Sequence, residues 1–275
     1  MMKCDMMRYS IVIPVLNQLD YTSQCVDSLL QCGTSPKSLL IINNGSSDGT
    51  ASWLTAHPQI QSITNEVNLG CGGAWTQGAL ATCGEWILLM NNDVIVCRDF
   101  ATRLLDAADN NTLDVVSPAV FEGDLDYDFE SKAEALMAAM GTYVRLGQTL
   151  GACFAVRRNV LHEVGFFDTD RDLGGHEDGE FMERCLRHGK RVGITGAAAI
   201  HHFGSVTQRA LTMELGVKHL GDHRYYYRKL GMGLVGRKLY KFRKKRNRLR
   251  NINSEMALYG MTVHMYRDQD RWAYL

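Results

Sequence analysis

The chain has 275 residues, 45% apolar and 22% charged, and its thirty basic and thirty acidic side chains give a formal net charge of zero. That balance provides no global field toward nucleic acid or an anionic membrane, and the apolar content with only four prolines excludes a disordered chain. The longest central apolar run, residues 86–90, is strand length and far short of the ~20 residues a membrane helix requires.

Residues 10–15 read as a buried strand, apolar and β-branched and stopped by Pro14. Asp20 is placed to cap a helix with Cys25, Val26, Leu29 and Leu30 on one face. Residues 39–42 form a second strand that runs into the turn-rich stretch 43–50, and a helix through Trp53 and Leu54 follows. Residues 60–64 are a short third strand, and the glycine-rich loop 68–73 leads into another helix. Residues 86–90 are a fourth strand, ending at Asn91-Asn92-Asp93. Strand and helix alternating at this spacing predict an α/β fold, a mostly parallel sheet flanked by helices, with ligands beyond the carboxyl ends of the strands.

From residue 121 the character changes. Residues 121–134, with six acids, read as a mobile surface connection, and 135–140 as helix. A strand is expected over 149–156, a helix over 177–188, and two short strands over 191–194 and 197–202. Beyond Thr207 the pattern predicts a helical appendage with tyrosines at 225–227. It carries a basic run, 237–250, in which nine of fourteen residues are Lys or Arg and none is acidic. The expected division is therefore a catalytic-type domain over 1–207 (halves 9–120 and 121–207) and a basic helical tail over 208–275. The opening residues show no apolar signal core, and eight scattered cysteines without a C-x-x-C pair suggest neither a zinc knuckle nor a disulfide framework. Unpaired thiols fit a cytoplasmic chain, soluble or peripheral at a membrane.

Four segments carry candidate chemistry. The turn from Asn43 to Thr50 is suited to a base and ribose, but on its own reads first as a helix cap made by Asp48 or Ser47. Asn91-Asn92-Asp93, directly after an apolar strand, reads as a seat for a hard divalent cation or as an Asx turn. Glu177-Asp178 behind Gly174-Gly175 resembles a general base and its positioning partner. Glu180–Arg184 and Glu183–Arg187 are i,i+4 pairs that need no function. His201-His202 closes a strand and offers a ligand or a structural histidine. Neither G-x-G-x-x-G in the glycine-rich loop nor a phosphate loop of the G-x-x-x-x-G-K-[ST] type occurs, which speaks against a dehydrogenase and a P-loop NTPase.

In order, Pro14, N-N-G-S-S-D-G-T, N-L-G-x-G-G, N-N-D-V, G-A-C-x-x-x-R-R, V-G-F-F-D, H-E-D-G-E-F-M-E-R and H-x-G-S-x-T resemble glycosyltransferase family 2 over about residues 9–207. The resemblance implies the GT-A fold, Rossmann-like, and nucleotide-sugar chemistry of the rhamnosyl- or galactofuranosyl-transferase kind. It implies donor binding by Pro14, Asn17, Asn43, Asp48, Asn68, Gly70, Asn91 and Asn92. Asn43 stands where the family usually has Asp, and only Asp93 keeps the carboxylate of the D-x-D motif. Mn2+ or Mg2+ is then expected on Asp93 and His202, with His201 as the fallback ligand. Asp178 is implied as catalytic base beside Glu177, in an inverting displacement on a UDP- or dTDP-sugar, with 121–134 and the tail as lids. The implied acceptor is a saccharide or lipid-linked glycan. The basic run keeps open a peripheral membrane contact, a sugar transferase acting on hydroxylated DNA bases, and a non-catalytic nucleic-acid-binding protein on this scaffold.

Overall fold

The computed structural model describes residues 7–218 and 220–275. The first half alternates as expected: β1 (Tyr9–Val15), α1 (Leu19–Gln31), β2 (Leu39–Asn43), α2 (Thr50–Ala56), β3 (Gln61–Thr64), α3 (Gly70–Ala81) and β4 (Trp86–Met90). Then come β5 (Val94–Val96), α4 (Phe100–Asn110), β6 (Val115–Gly123), α5 (Phe129–Met140), β7 (Val144–Leu146), β8 (Cys153–Arg157) and α6 (Arg158–Val164). The remainder is α7 (Glu177–Arg187), β9 (Val192–His202), α8 (Val206–Leu215), α9 (His223–Lys229), α10 (Leu234–Tyr259), β10 (His264–Asp268) and β11 (Arg271–Tyr274).

One curled sheet runs β11-β10-β6-β8-β4-β1-β2-β3, with β9 on the other side of β6 and with β5 and β7 on β9. Along that path only β8 and β11 run antiparallel to their neighbours, so the sheet is mostly parallel. β2 and β4 are buried at every position, which is why LLIIN and WILLM show no alternation: helices cover both faces. Two apolar layers result, one around Ile11, Ile13, Leu88 and Phe121 and the other around Val12, Ile87, Trp75 and Phe154. Gly78 lets α3 lie directly on β1, because a Cβ there would stand 2.2 Å from Val12 Cγ1.

Several local expectations are corrected. Asp20 lies inside the first turn of α1 and does not cap it; the Leu19 N–H is instead met by Asp48 Oδ2 at 3.2 Å. The glycine-rich stretch is already helix from Gly70. Residues 121–134 are not a free connection: Phe121 is buried in β6, and Asp128 caps α5 through the Ser131 N–H (3.1 Å). Apolar side chains interleaved with the acids pull both ends of this segment into the core. The two strands expected over 191–202 are one, β9, irregular where it passes Pro118 and Ala119 of β6. Among the described residues six cysteines are free, whereas Cys83 is disulfide-bonded, a pairing that spacing alone does not reveal. The tail is helical only as far as Tyr259; β10 then joins the parallel edge of β6 and β11 folds back on it. Alternation over residues 264–274 is short and charged, so the long basic helix before it hid the signal.

The tail is fastened from within. Arg145 on β7 donates from Nε and Nη2 to the two carboxylate oxygens of Glu255 on α10 (2.7 and 2.6 Å). Tyr143 OH and the Val263 N–H donate to the same carboxylate at 2.8 and 3.1 Å. Both charged side chains are buried, 4% and 1% exposed.

Candidate active site

Where β1, β2 and β4 end, polar residues knit the strand ends together. Asn17 and Gln18 turn the chain out of β1 in the left-handed region (φ 56° and 62°), a costly conformation for non-glycine residues that tends to persist at functional rims. Asn17 Oδ1 accepts the Ser47 N–H at 2.8 Å, and the Asn17 N–H donates to Ser46 Oγ at 2.8 Å. Asn43 Oδ1 accepts the Ser46 N–H (3.1 Å), and Asp48 accepts from both the N–H (2.9 Å) and the hydroxyl of Thr50. Asn44 reaches the next loop: its Nδ2 donates to Asn68 Oδ1 (2.8 Å) and its Oδ1 accepts the Leu69 N–H (3.0 Å). Asn68 in turn accepts the Gly70 N–H that opens α3 (2.8 Å).

A cleft of about 540 Å³ lies over these strand ends. Pro14, Asn68, Gly70, Asn91, Asn92 and Asp93 line one side, and Gly174, Gly175 and Glu177 another. Ser205, Thr207, Gln208 and Leu211 close it from α8 and the turn before it. The sequence reading missed Asn44, eclipsed by Asn43 beside it, and the inner face of α8, taken only as a lid. Asn17, Asn43, Asp48, Asp178 and His202 do not line the cleft. The first three hold the turn that shapes its floor, so the capping role of Asp48 is realised twice, toward α1 and toward α2.

Asp93 and His202 meet because β5 pairs antiparallel with β9, Val94 opposite His202. Asp93 Oδ1 stands 3.3 Å from His202 Nε2, and Asp93 Oδ2 accepts the Val206 N–H at 3.0 Å. Glu122 lies 3.8 Å from His202 Nδ1 and accepts from His264 Nε2 at 3.1 Å. Burial works against both charges, but the His202 hydrogen bond and charge and the Val206 N–H hold the Asp93 carboxyl below its usual value. Burial likewise disfavours protonated His202, yet Asp93 and then Glu122 raise it. His201 is different: burial, then the charge of His202, pushes it down to about 4, and its Nδ1 is spent on Tyr127 OH at 2.9 Å. The fallback ligand is therefore a neutral core histidine.

The sign of this linkage is testable. A raised His202 contributes stability below its unfolded value of ~6.5, lost as pH rises through the folded value. A depressed Asp93 contributes above its unfolded ~3.9 and loses that as pH falls through its folded value. The stability gap between wild type and His202→Gln should therefore narrow from pH 6 to pH 9, read by urea unfolding without metal; a gap independent of pH would disprove the linkage.

Among the described residues no three His, Cys, Asp or Glu side chains form a closed cation cage. Asp93 and His202 nevertheless fit a divalent ion that keeps open positions. Neighbouring ligands on an octahedral ion stand about 3 Å apart, close to their separation here, and such ions commonly take one or two protein ligands and complete their shell with phosphate.

At the start of α7, Glu177 faces the cleft, with its Cγ beside Gly72 of α3. Asp178 points elsewhere, under Gly151 and within the field of His176 and of Lys244 on α10. Burial raises both carboxyls above the usual range, and Asp178 raises Glu177 further. Glu180 is committed to Arg184 (2.8 Å), whose guanidinium also donates to the Val164 and Phe166 carbonyls. That pair holds α7 in place.

The sequence model of Glycosyl transferase family 2 matches residues 10–165. Among curated proteins the chain is similar to "Uncharacterized glycosyltransferase EpsJ" of Bacillus subtilis (strain 168), 25% identical over 42% of this chain and 35% of that one. It is also similar to "Succinoglycan biosynthesis protein ExoO" of Rhizobium meliloti (strain 1021), 27% identical over 39% and 34%. The matches thus span about a third of the length of these relatives. In architecture it resembles GalNAc-T7, solved with UDP, GalNAc and Mn2+ (TM-score 0.55, 14% identity, 72% of this chain and 44% of that one). It likewise resembles S. aureus TarS 1–349 (TM-score 0.56, 13% identity, 82% and 69%). The architecture is the GT-A fold.

Proposed function

Because the chain belongs to glycosyltransferase family 2, we propose that it moves a sugar, with inversion, from a UDP- or dTDP-sugar to a hydroxyl of a saccharide or lipid-linked glycan. The observation that carries this reading is the cleft over the ends of β1, β2 and β4. It sets the buried Asp93, with His202 behind it, opposite Glu177 of α7. The floor built by Asn44, Asn68 and Gly70 suits a nucleoside, and Asp93 suits a divalent cation that would neutralise its diphosphate.

Mn2+ or Mg2+ held by Asp93 and His202 would supply positive charge to the departing diphosphate. The chain's own work is positional. Asp178 does not line the donor cleft, so as the base it would meet the acceptor hydroxyl from outside that cleft, beside Gly151. It takes the hydroxyl proton as that oxygen bonds to the sugar C1, while the bond from C1 to the diphosphate breaks on the opposite face. Glu177 orients the donor. Thr207, Gln208 and Leu211 of α8 cover the cleft and keep out water, which would otherwise hydrolyse the donor.

Thermal unfolding in the presence of Mn2+ and a panel of nucleotide sugars tests the reading, because a bound donor raises the midpoint. At least one UDP- or dTDP-sugar should protect, and that sugar should be transferred or slowly hydrolysed. A panel without protection or turnover would overturn it. Asp93→Ala should weaken donor binding at least about tenfold, the loss of one charge-assisted contact, and excess Mn2+ should not restore it. Calorimetric titration reads both.

A further inference from the structure

α10 presents two different faces. The inner one is occupied: Tyr240 packs on Tyr227 and lies 3.5 Å from Tyr226 OH, Arg237 and Lys241 lie over the Tyr227 ring, and Glu255 is buried. With 3.6 residues per turn, the opposite face carries Val235, Leu239, Phe242 and Leu249, exposed by 81%, 45%, 61% and 51%. Lys238, Lys245 and Arg246 are interleaved with them, also exposed.

We propose that this outward face docks on an anionic lipid surface, apolar side chains entering the acyl boundary and the cations meeting the headgroups. The charge pattern selects the occupant. A second copy of this helix would set nine cations against nine. A nucleic-acid backbone would pair with the cations but leave Val235, Leu239 and Leu249 in water. A lipid interface satisfies both kinds of side chain at once. No helix among the described residues is long and apolar enough to cross a membrane. Docking does not depend on transfer chemistry.

Flotation of the full chain with vesicles tests the proposal without any sugar nucleotide, so its failure is separate from failure of the transferase reading. The chain should float with vesicles of phosphatidylglycerol and phosphatidylcholine in equal parts, and not with phosphatidylcholine alone. The triple variant Lys238→Gln/Lys245→Gln/Arg246→Gln should lower partitioning about 100-fold at low salt. Leu239→Ser/Phe242→Ser, with every charge kept, should lower it at least about tenfold. All substituted positions are exposed, so unfolding midpoints should match wild type and confirm that the variants fold. Absence of flotation, equal flotation with neutral vesicles, or full flotation of the Leu239/Phe242 variant would each overturn the proposal. So would duplex DNA that competes the chain off anionic vesicles, which would point to a phosphate backbone instead.

Discussion

Asp178→Asn is expected to lower sugar transfer by about 10²–10⁴-fold, the usual contribution of a positioned general base, with nucleotide-sugar binding nearly unchanged. Binding should survive because Asp178 does not line the donor cleft, and Asn preserves its shape under Gly151. The neighbouring Glu177→Gln should show the converse, a weakened donor and a smaller loss at saturation. The pH profile supplies an independent check. Burial raises the Asp178 carboxyl, so its proton-accepting form is lost at a higher pH than for an ordinary carboxylate. The acid limb of kcat should accordingly sit above pH ~4 and vanish in the residual activity of Asp178→Asn. If Asp178→Asn turned over normally while Glu177→Gln was inactive, the base would be Glu177.

Arg145→Ala is expected to destabilise the protein by about 3–5 kcal/mol, the range for removing one member of a buried ion pair. Glu255 would be left charged and enclosed, with only Tyr143 OH and the Val263 N–H donating to it. Urea unfolding should show a lower midpoint. The double variant Arg145→Met/Glu255→Leu should recover most of the loss, since two apolar groups leave no stranded charge. If Arg145→Ala left the midpoint unchanged, α10 would not be anchored through this pair.

Much of the site was legible because each strand of the parallel half stops at a polar turn, and topology carries such turns to one rim. Pro14, Asn68, Asn91 and Asp93 line the cleft for that reason. The contact between Asp93 and His202 was expected only through the family resemblance; the register of β5 on β9 creates it, and no local pattern encodes that register. Glu122 was lost among the acids of 121–134, where nothing local distinguishes the one carboxylate that lies beside His202 from those in solvent. The resemblance implied Asn17 and Asp48 as donor contacts, with a helix cap as the other reading of Asp48; their side chains hold backbone groups of the floor, a role the same residue types fill anywhere. The return of residues 264–274 to the sheet rests on pairing across more than half the chain, beyond the reach of periodicity.

That return has a consequence for how the protein is made. His264 lies beside Val120, so a strand in the middle of the sheet waits for residues 264–267 to be synthesised before that end of its edge is covered. On the ribosome, the stretch of β6 beyond its pairing with β8 stays unpaired along that edge until residues 264–267 have emerged, and late pairing between distant segments is slow. Chains released early, or cut after α8, would show a bare strand edge open to self-association. Aggregation of truncated products, relieved by supplying residues 260–275 as a separate peptide, would be the biochemical signature of a fold completed by its own tail.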